Sequence, residues 1–232
     1  MSRATAFDPT RVRQLLTDGL SDMNLSTSEH ERSQLIAYLG LMAKWNHVYN
    51  LSAIRELDKM VSHHLLDSLV IVQTFRDWLT NIKQPSVLDV GTGGGLPGVV
   101  LAIMNPTWHI TLIDPVHKKT AFLTQVKAQL ALTNLTVITG KVEDLPANST
   151  YDLITSRAFA SVVDFVRLSE NVLKTDGVFG AMKGVIPADE LAELEQFAPS
   201  TWAHEIIELA VPQLDAQRHL IKLWQHETKT HL

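Results

Sequence analysis

The sequence predicts an α/β fold: a doubly wound, seven-stranded, mostly parallel sheet with an N-terminal helical extension. Upstream of Pro85, apolar residues recur at helical steps of three and four, as at Val12, Leu16 and Leu20. Downstream, short apolar runs alternate with helical stretches, a pattern typical of parallel sheets. We therefore expect a helical region over residues 1–84 that packs on a sheet domain over residues 85–232.

Three helices are predicted in the helical region. Asp8 and Pro9 form a cap and a first-turn proline for the first helix. Residues 26–28 (Ser-Thr-Ser) can cap a second helix. The third is predicted as one helix over about residues 58–78.

The sheet domain is predicted to alternate strands with helices. Strands are expected at residues 87–90, 110–113, 137–138, 151–155, 178–182, 203–210 and 219–225. Helices are expected at residues 96–104, 119–132, 162–173 and 190–197. The last two strands have no helix between them, so they should pair antiparallel.

Composition excludes several classes of protein. The 232 residues include no cysteine, which removes disulfides and thiolate chemistry. The net charge of −5 argues against broad coating of nucleic acid, because such binding needs many phosphate contacts. The longest apolar run, residues 99–104, is far shorter than the roughly 20 residues of a membrane helix. The start of the chain lacks the apolar stretch of a signal peptide. We expect a soluble, cytoplasmic protein without membrane contact.

Residues 87–98 join the first strand to a helix through a glycine-rich loop. Glycine permits positive φ and close approach of a ligand, and a helix N-terminus offers free N–H groups. A dinucleotide fingerprint fits only when it is counted from Gly93, and no Gly-Lys-Ser/Thr follows as in a phosphate-binding Walker loop. Asp89, with Gly91, Gly93 and Gly95, instead gives the Asp-x-Gly-x-Gly-x-Gly pattern of S-adenosylmethionine-dependent methyltransferases of the doubly wound class.

Two further positions lie where the next strands end. Asp114 ends the second strand, 23 residues after Gly91, where an acid can accept hydrogen bonds from ribose hydroxyls. Alternatively, Asp114 caps the following helix. Val142 and Glu143 follow the third strand, where this class of fold frames the adenine, although Glu143 could equally lie in a solvated loop.

Arg157 ends the fourth strand. Enzymes that methylate exocyclic amines carry an Asn/Asp-Pro-Pro-aromatic motif at this place, whereas this chain has Ser156 and Arg157. A ring nitrogen such as guanine N7 already has an in-plane lone pair and needs alignment rather than a base. The permanently charged arginine could hold a cofactor carboxylate, a phosphate or guanine O6. The alternative is a surface ion pair with Asp152.

Together, these segments resemble the RsmG (GidB) family of 16S rRNA guanine-N7 methyltransferases. The matching segments are residues 44–54, 64–68, 87–98, 142–144, 156–160, 183–184 and 218–220. The resemblance implies a Rossmann-like class I methyltransferase that uses S-adenosyl-L-methionine to methylate N7 of guanine 527. It implies 16S rRNA, the small ribosomal subunit or its assembly intermediate as partner. We expect a monomer.

The family resemblance also implies site residues. Its cofactor contacts fall on Gly91, Leu96, Val142, Glu143 and Arg157, and the class pattern adds Asp89, Gly93, Gly95 and Asp114. Arg157 is the candidate catalytic residue, acting by positioning and charge without a general base. The candidate RNA contacts are Arg55, His64, Lys118, Lys119, Lys183 and Arg218.

His64 and Asp67 share a helix face at spacing i and i+3. They could contact the substrate, or form a buried hydrogen bond that docks the helical region on the sheet. No third ligand is apparent, so no metal is expected. The competing functions are a small-molecule methyltransferase of the same fold, an RNA-binding module without activity, and a dehydrogenase.

Overall fold

The computed structural model describes residues 7–146, 148–157, 159 and 161–226. Outside it lie both chain ends and, from the matching segment 156–160, Ala158 and Ala160. The helical region consists of α1 (Pro9–Asp22), α2 (Glu29–Tyr49), α3 (Leu57–Met60), a π-helical turn (Val61–Leu66), α4 (Asp67–Leu69) and α5 (Val72–Trp78).

The first two helices begin where their caps predict. The Asp8 carboxylate accepts from the backbone N–H groups of Thr10 and Arg11. Ser28 and Glu31 form a capping box, in which each side chain accepts from the other residue's backbone N–H. The first four backbone N–H groups of an α-helix have no partner within the helix, and these caps satisfy some of them at α1 and α2.

The predicted single helix over residues 58–78 was wrong, because it is broken into α3, the π-helical turn, α4 and α5. In the π-helical turn the carbonyl oxygen of His63 accepts a hydrogen bond from Arg157, 94 residues away. A tertiary contact of this kind is not visible in local periodicity. Such turns occur frequently at functional sites.

Seven strands form one sheet, as predicted. They are β1 (Ser86–Val90), β2 (His109–Asp114), β3 (Leu135–Thr139), β4 (Tyr151–Arg157), β5 (Leu173–Lys183), β6 (Trp202–Glu208) and β7 (His219–Gln225). Their order is β3-β2-β1-β4-β5-β7-β6. The first five run parallel, and β7 pairs antiparallel with both β5 and β6, which confirms the predicted pairing of the last two strands.

Four helices flank the sheet: α6 (Gly98–Met104), α7 (His117–Gln129), α8 (Val162–Ser169) and α9 (Ala188–Phe197). One hydrophobic cluster joins Leu39 and Val61 of the helical region to Val99 of α6 and Phe122 of α7. A second cluster lies around α8 and α9. The helical region therefore shares a core with one face of the sheet, and the division at residues 84 and 85 stays a prediction.

The carboxyl ends of the parallel strands meet at one edge of the sheet, which we call the carboxyl edge. Ligands of open α/β sheets bind there, near the point where strand order reverses. β1 lies between β2 and β4, so this point is at the end of β1, where the glycine loop begins. Over the described ranges, no helix is long and apolar enough to cross a bilayer.

Candidate active site

The glycine loop combines tight packing on one side with open space on the other. Gly91, Gly93 and Gly95 have φ values of +65°, +61° and +97°. A Cβ on Gly95 would lie 2.5 Å from the Val99 side chain, so packing requires glycine there. A Cβ on Gly91 or Gly93 would come no closer than 3.9 Å to another atom, and one on Gly140, after β3, would meet nothing within 4 Å. The loop therefore borders a cradle open to a ligand.

Asp89 fixes the loop from behind. Its carboxylate is fully buried, and Oδ2 accepts hydrogen bonds from Thr92 Oγ1 at 2.6 Å and from the backbone N–H of Gly98 at 2.9 Å. Within the described residues Oδ1 has no partner. Burial raises the pKa of Asp89 to about 7, and the two hydrogen bonds oppose that rise. Asp89 thus joins the two ends of the loop, and a direct contact with the cofactor stays a prediction.

Asp114 connects the end of β2 to the glycine loop. Its buried carboxylate accepts from the backbone N–H of Gly93 at 3.0 Å and from Lys119 Nζ at 3.2 Å, both through Oδ2. Oδ1 accepts from the backbone N–H of Val116 at 2.9 Å. Because α7 begins at His117 with Val116 as its cap residue, Asp114 is not the helix cap of the alternative reading.

The remaining predicted cofactor contacts lie on both sides of the cradle. Leu96 is buried in the turn before α6, and Val142 is buried in a 3₁₀ turn after β3. Glu143, in the same turn, is exposed. A contact that sequence reasoning missed comes from α2, where the buried Tyr38 donates to the backbone of Gly94. Those two residues lie 56 positions apart, and no local pattern links them.

Arg157 pairs with Asp67 of the helical region. Its Nη1 lies 3.0 Å from Asp67 Oδ2 and donates to the His63 carbonyl at 2.8 Å. The suggested surface pair with Asp152 was wrong, because Asp152 pairs with Lys174 at 2.8 Å. Arg218 also reaches Asp67, with 2.7 Å between its Nε and Oδ1. One buried carboxylate therefore contacts two arginines at the carboxyl edge.

His64 is a buried, neutral imidazole. Its Nε2 lies 2.9 Å from Ser52 Oγ, which already accepts from the backbone N–H of Ile54. The direction of this hydrogen bond depends on the histidine tautomer, and Nδ1 has no partner within the described residues. Burial, followed by the charge of Arg157, lowers the pKa of His64 to about 4. The His64 hydrogen bond lies within the helical region, so of the predicted pair it is Asp67, through Arg157, that connects the helical region to the sheet. The lowered pKa does not favour a cationic contact of His64 with RNA.

The other candidate RNA contacts differ in whether another side chain already pairs with them. Lys119 pairs with Asp114, Lys183 pairs with Glu190 at 2.8 Å, and Arg55 donates to Asn50 Oδ1 at 2.7 Å. Lys118 is exposed and has no ion pair among the residues the structure describes. In that same part of the chain, no group of three or more His, Asp or Glu side chains could hold a metal ion.

Solved structures share the fold at low sequence identity. A ribosomal protein L11 methylase from Lactobacillus delbrueckii subsp. bulgaricus gives a TM-score of 0.53 at 17% identity, covering 74% of this chain and 81% of that one. An S-adenosylmethionine-dependent methyltransferase from Aquifex aeolicus gives 0.52 at 16% identity, covering 71% and 92%. These likenesses show a Rossmann-like class I methyltransferase fold, as the sequence predicts.

Closer relatives identify the family. A family model described as rRNA small subunit methyltransferase G matches residues 31–221. A ribosomal RNA small subunit methyltransferase G from Janthinobacterium sp. (strain Marseille) is 51% identical over 221 residues, covering 93% of this chain and 96% of the relative. One from Burkholderia ambifaria is 46% identical, covering 95% and 96%. The chain therefore belongs to the rRNA small subunit methyltransferase G family, which confirms the resemblance in its sequence motifs.

Proposed function

We propose that this protein methylates N7 of guanine 527 in 16S rRNA, using S-adenosyl-L-methionine, by direct in-line transfer. One observation carries the proposal: a glycine cradle and a partly exposed arginine lie at the same edge of the sheet. The family and the fold imply this cofactor. We further propose a cytoplasmic monomer in which a helical extension, residues 1–84, supports a methyltransferase domain, residues 85–232.

The residues at the cradle fit the cofactor. Open space beside Gly91, Gly93 and Gly140 leaves room for a ligand between the ends of β1, β2 and β3. The Asp114 carboxylate at the end of β2 can accept hydrogen bonds from ribose hydroxyls. The proposed contacts are Asp89, Gly91, Gly93, Gly95, Leu96, Asp114, Val142, Glu143 and Arg157. When bound there, S-adenosylmethionine supplies an electrophilic methyl group on a sulfonium.

The chain's own contribution is alignment rather than proton removal. Guanine N7 carries a lone pair and no proton, so a general base has nothing to abstract. Neutral His64, buried beside Ser52, is not needed as a base. Good alignment alone can supply an effective molarity of about 10⁵–10⁸ M. Arg157 keeps a fixed positive charge at the carboxyl edge, where it can hold an acceptor group of the base, a phosphate or the cofactor carboxylate.

The proposed substrate is one exposed base in folded RNA. Sequence-specific recognition of RNA usually targets unstacked loop bases. An enzyme of this kind needs a small basic area, which a net charge of −5 permits. Arg55, Lys118, Lys119, Lys183 and Arg218 are the proposed phosphate contacts, and His64 stays the least favoured because it is buried.

The test is methyl transfer from labelled cofactor to small-subunit RNA and to small-subunit particles from cells that lack the enzyme. We expect one modified nucleotide, mapped to guanine 527. Absence of transfer while a control methyltransferase is active, or modification elsewhere, would contradict the proposal. Methylation of free guanosine without RNA would favour the small-molecule enzyme, and cofactor binding without transfer would favour the RNA-binding module.

Arg157→Ala gives a second test of the same proposal. We expect cofactor-dependent methyl transfer to fall at least tenfold while cooperative unfolding is kept. Unchanged turnover would remove Arg157 from the mechanism.

Binding of a nicotinamide nucleotide in place of S-adenosylmethionine would favour the dehydrogenase.

A further inference from the structure

Asp67 is surrounded by positive charge that its own carboxylate only half balances. Its side chain is 3% exposed, and each oxygen contacts a different guanidinium. One negative charge faces two positive charges, so the cluster of Asp67, Arg157 and Arg218 retains a net charge of +1. Of the three side chains only Asp67 is buried, and pairing with both guanidiniums offsets the cost of holding its charge away from water.

The unbalanced charge is accessible from outside. The side chains of Arg157 and Arg218 are 24% and 23% exposed. Among the residues described, Arg157 donates only through Nη1, which leaves Nε and Nη2 for a ligand. Arg218 uses Nε and Nη1, which leaves Nη2. Each guanidinium thus has some N–H groups that bond to the protein and others that remain available to a ligand.

The three residues come from separate parts of the fold. Arg157 ends β4, Arg218 directly precedes β7, and Asp67 begins α4 in the helical region. β5 separates β4 from β7, so the two arginines lie at the ends of strands that are not neighbours. Asp67 is the one carboxylate that contacts both guanidiniums among the described residues.

We propose that Asp67 is a positioning residue, which fixes the plane of the Arg157 guanidinium so that its remaining donors face the ligand at the carboxyl edge. Asp67 itself contacts neither RNA nor cofactor and acts through Arg157. The inference rests on the proposed function, because it assigns how the helical extension completes that same site.

The substitution Asp67→Asn separates this role from simple filling of space. Asparagine has nearly the same shape, so the cavity stays filled. Its one carbonyl oxygen can accept from only one arginine, while its NH₂ group faces the N–H groups of the other. We expect the Arg157 guanidinium to lose its fixed orientation, and kcat/KM for methyl transfer to RNA to fall at least tenfold.

A double-mutant cycle tests whether the effect passes through Arg157. Asp67 also contacts Arg218, so the cycle is run in an Arg218→Ala background. In that background Asp67→Asn, Arg157→Ala and the double variant are compared by kcat and by KM for cofactor and RNA. If Asp67 acts through Arg157, the double variant is no more than twofold worse than Arg157→Ala, and both single variants change kcat and KM in the same proportion. The proposal would be overturned if the activity losses of the two single variants multiply in the double variant. It would also be overturned if the two single variants change kcat and KM in different proportions.

Asp58→Asn is the matched control. Asp58 lies on the same helical segment and pairs with Arg11 at 2.6 Å, but both side chains are at least half exposed. Activity within twofold of the unmodified protein is expected. An equal loss in Asp58→Asn and Asp67→Asn would assign the effect to the segment as a whole and overturn the proposal.

Failure of the proposed function and failure of this inference give different experimental results. Failure of the unmodified protein to methylate RNA would refute the proposed function, and this inference with it. Full activity in Asp67→Asn, with the unmodified protein active, would refute this inference alone. If Asp67→Asn loses cofactor binding and cooperative unfolding, the cycle is repeated with the charge-conserving variants Asp67→Glu and Arg157→Lys. We expect the double variant to be no more than twofold worse than Arg157→Lys. Losses that multiply would contradict the proposal.

Discussion

The hydroxyl group of Tyr38 donates a 2.7 Å hydrogen bond to the carbonyl oxygen of Gly94, which links α2 directly to the glycine loop. Tyr38 is fully buried, and this burial raises its pKa well above the usual range, so it stays a donor at any working pH. The same helix places Met42 within 3.2 Å of where a Gly94 Cβ would lie. The helical region thus supports the loop on the side away from the cradle.

Tyr38→Phe should loosen the loop. We expect the free energy of unfolding to fall by about 1 kcal/mol, the typical net value of one hydrogen bond. The dissociation constant for S-adenosylmethionine should rise several-fold, measured by calorimetry. Tyr49→Phe is the control, since Tyr49 lies on the same helix and is 40% exposed. Equal cofactor binding in the two variants would show that the Tyr38 hydroxyl does not support the loop.

Gly95→Ala should destabilise the protein, whereas Gly140→Ala should not. The new methyl group at Gly95 would lie 2.5 Å from Val99 and 2.6 Å from Leu123, at a φ of +97°. Overpacking of this kind typically costs about 1–3 kcal/mol. Gly140 has open space around its Cα, so urea unfolding of Gly140→Ala should match that of the unmodified protein. Similar unfolding midpoints for both variants would contradict the packing argument.

His64 should make the protein less stable as pH falls from about 6.5 toward 4. Its folded pKa of about 4 lies below the unfolded value of 6.5, so in that window the unfolded state binds the extra proton. At pH 5 the loss is about 2 kcal/mol relative to neutral pH. Urea unfolding of His64→Gln should show a drop from pH 7 to pH 5 that is smaller by that amount.

Two features make the His64 comparison specific. Asp89, with its raised pKa, titrates in the opposite sense, since protonation in the folded state stabilises the protein as pH falls below 7. That contribution is common to both proteins and cancels in the difference. His30→Gln, which replaces an exposed histidine, is the control substitution. A parallel pH profile for His64→Gln and the unmodified protein would argue that His64 titrates normally.

Lys118 and Lys119 should differ in the salt dependence of RNA binding. Each phosphate contact contributes about 0.7–0.9 to the slope of log K against log salt. Lys118 is exposed, so Lys118→Ala should lower the slope by about that amount. Lys119 is paired with buried Asp114, so Lys119→Ala should change the slope less. Binding titrations at several salt concentrations measure this, and equal slopes for both variants would refute the distinction.

Local sequence signals located all seven strands and the glycine loop, but not every boundary. β5 begins at Leu173, five residues before its predicted start, and the helix predicted over residues 162–173 ends at Ser169. The first strand is predicted at residues 87–90 and lies at Ser86–Val90. It could be predicted because an apolar run that leads into glycines is typical of a buried strand followed by a turn. The last strand was placed at 219–225 and lies at those residues. The pattern also predicts Asp89 and Asp114 near the loop, since Asp89 is the penultimate residue of β1 and Asp114 the last residue of β2.

Contacts between distant segments could not be read from the sequence. Asp67 and Arg157 are 90 residues apart, and Asp67 and Arg218 are 151 residues apart. Asp152 is only five residues from Arg157 in the sequence and was therefore the simpler partner to predict. In the structure Asp152 pairs with Lys174 instead. The π-helical turn was missed for the same reason, because the apolar spacing of Val61 and Leu65 is equally compatible with a regular helix.

The reversed direction of β7 brings a late segment of the chain to the carboxyl edge. Because β7 runs opposite to β5, its first residue, His219, pairs with the last residue of β5, Lys183. The connection between β6 and β7 therefore opens onto the carboxyl edge, although it follows six strands and all the cradle residues in the chain. Leu209 and Val211 at its start are buried in the hydrophobic cluster shared with the helical region, whereas residues 215–217 are exposed. Insertions at residues 215–217 would therefore change the surface at the carboxyl edge without disturbing that cluster.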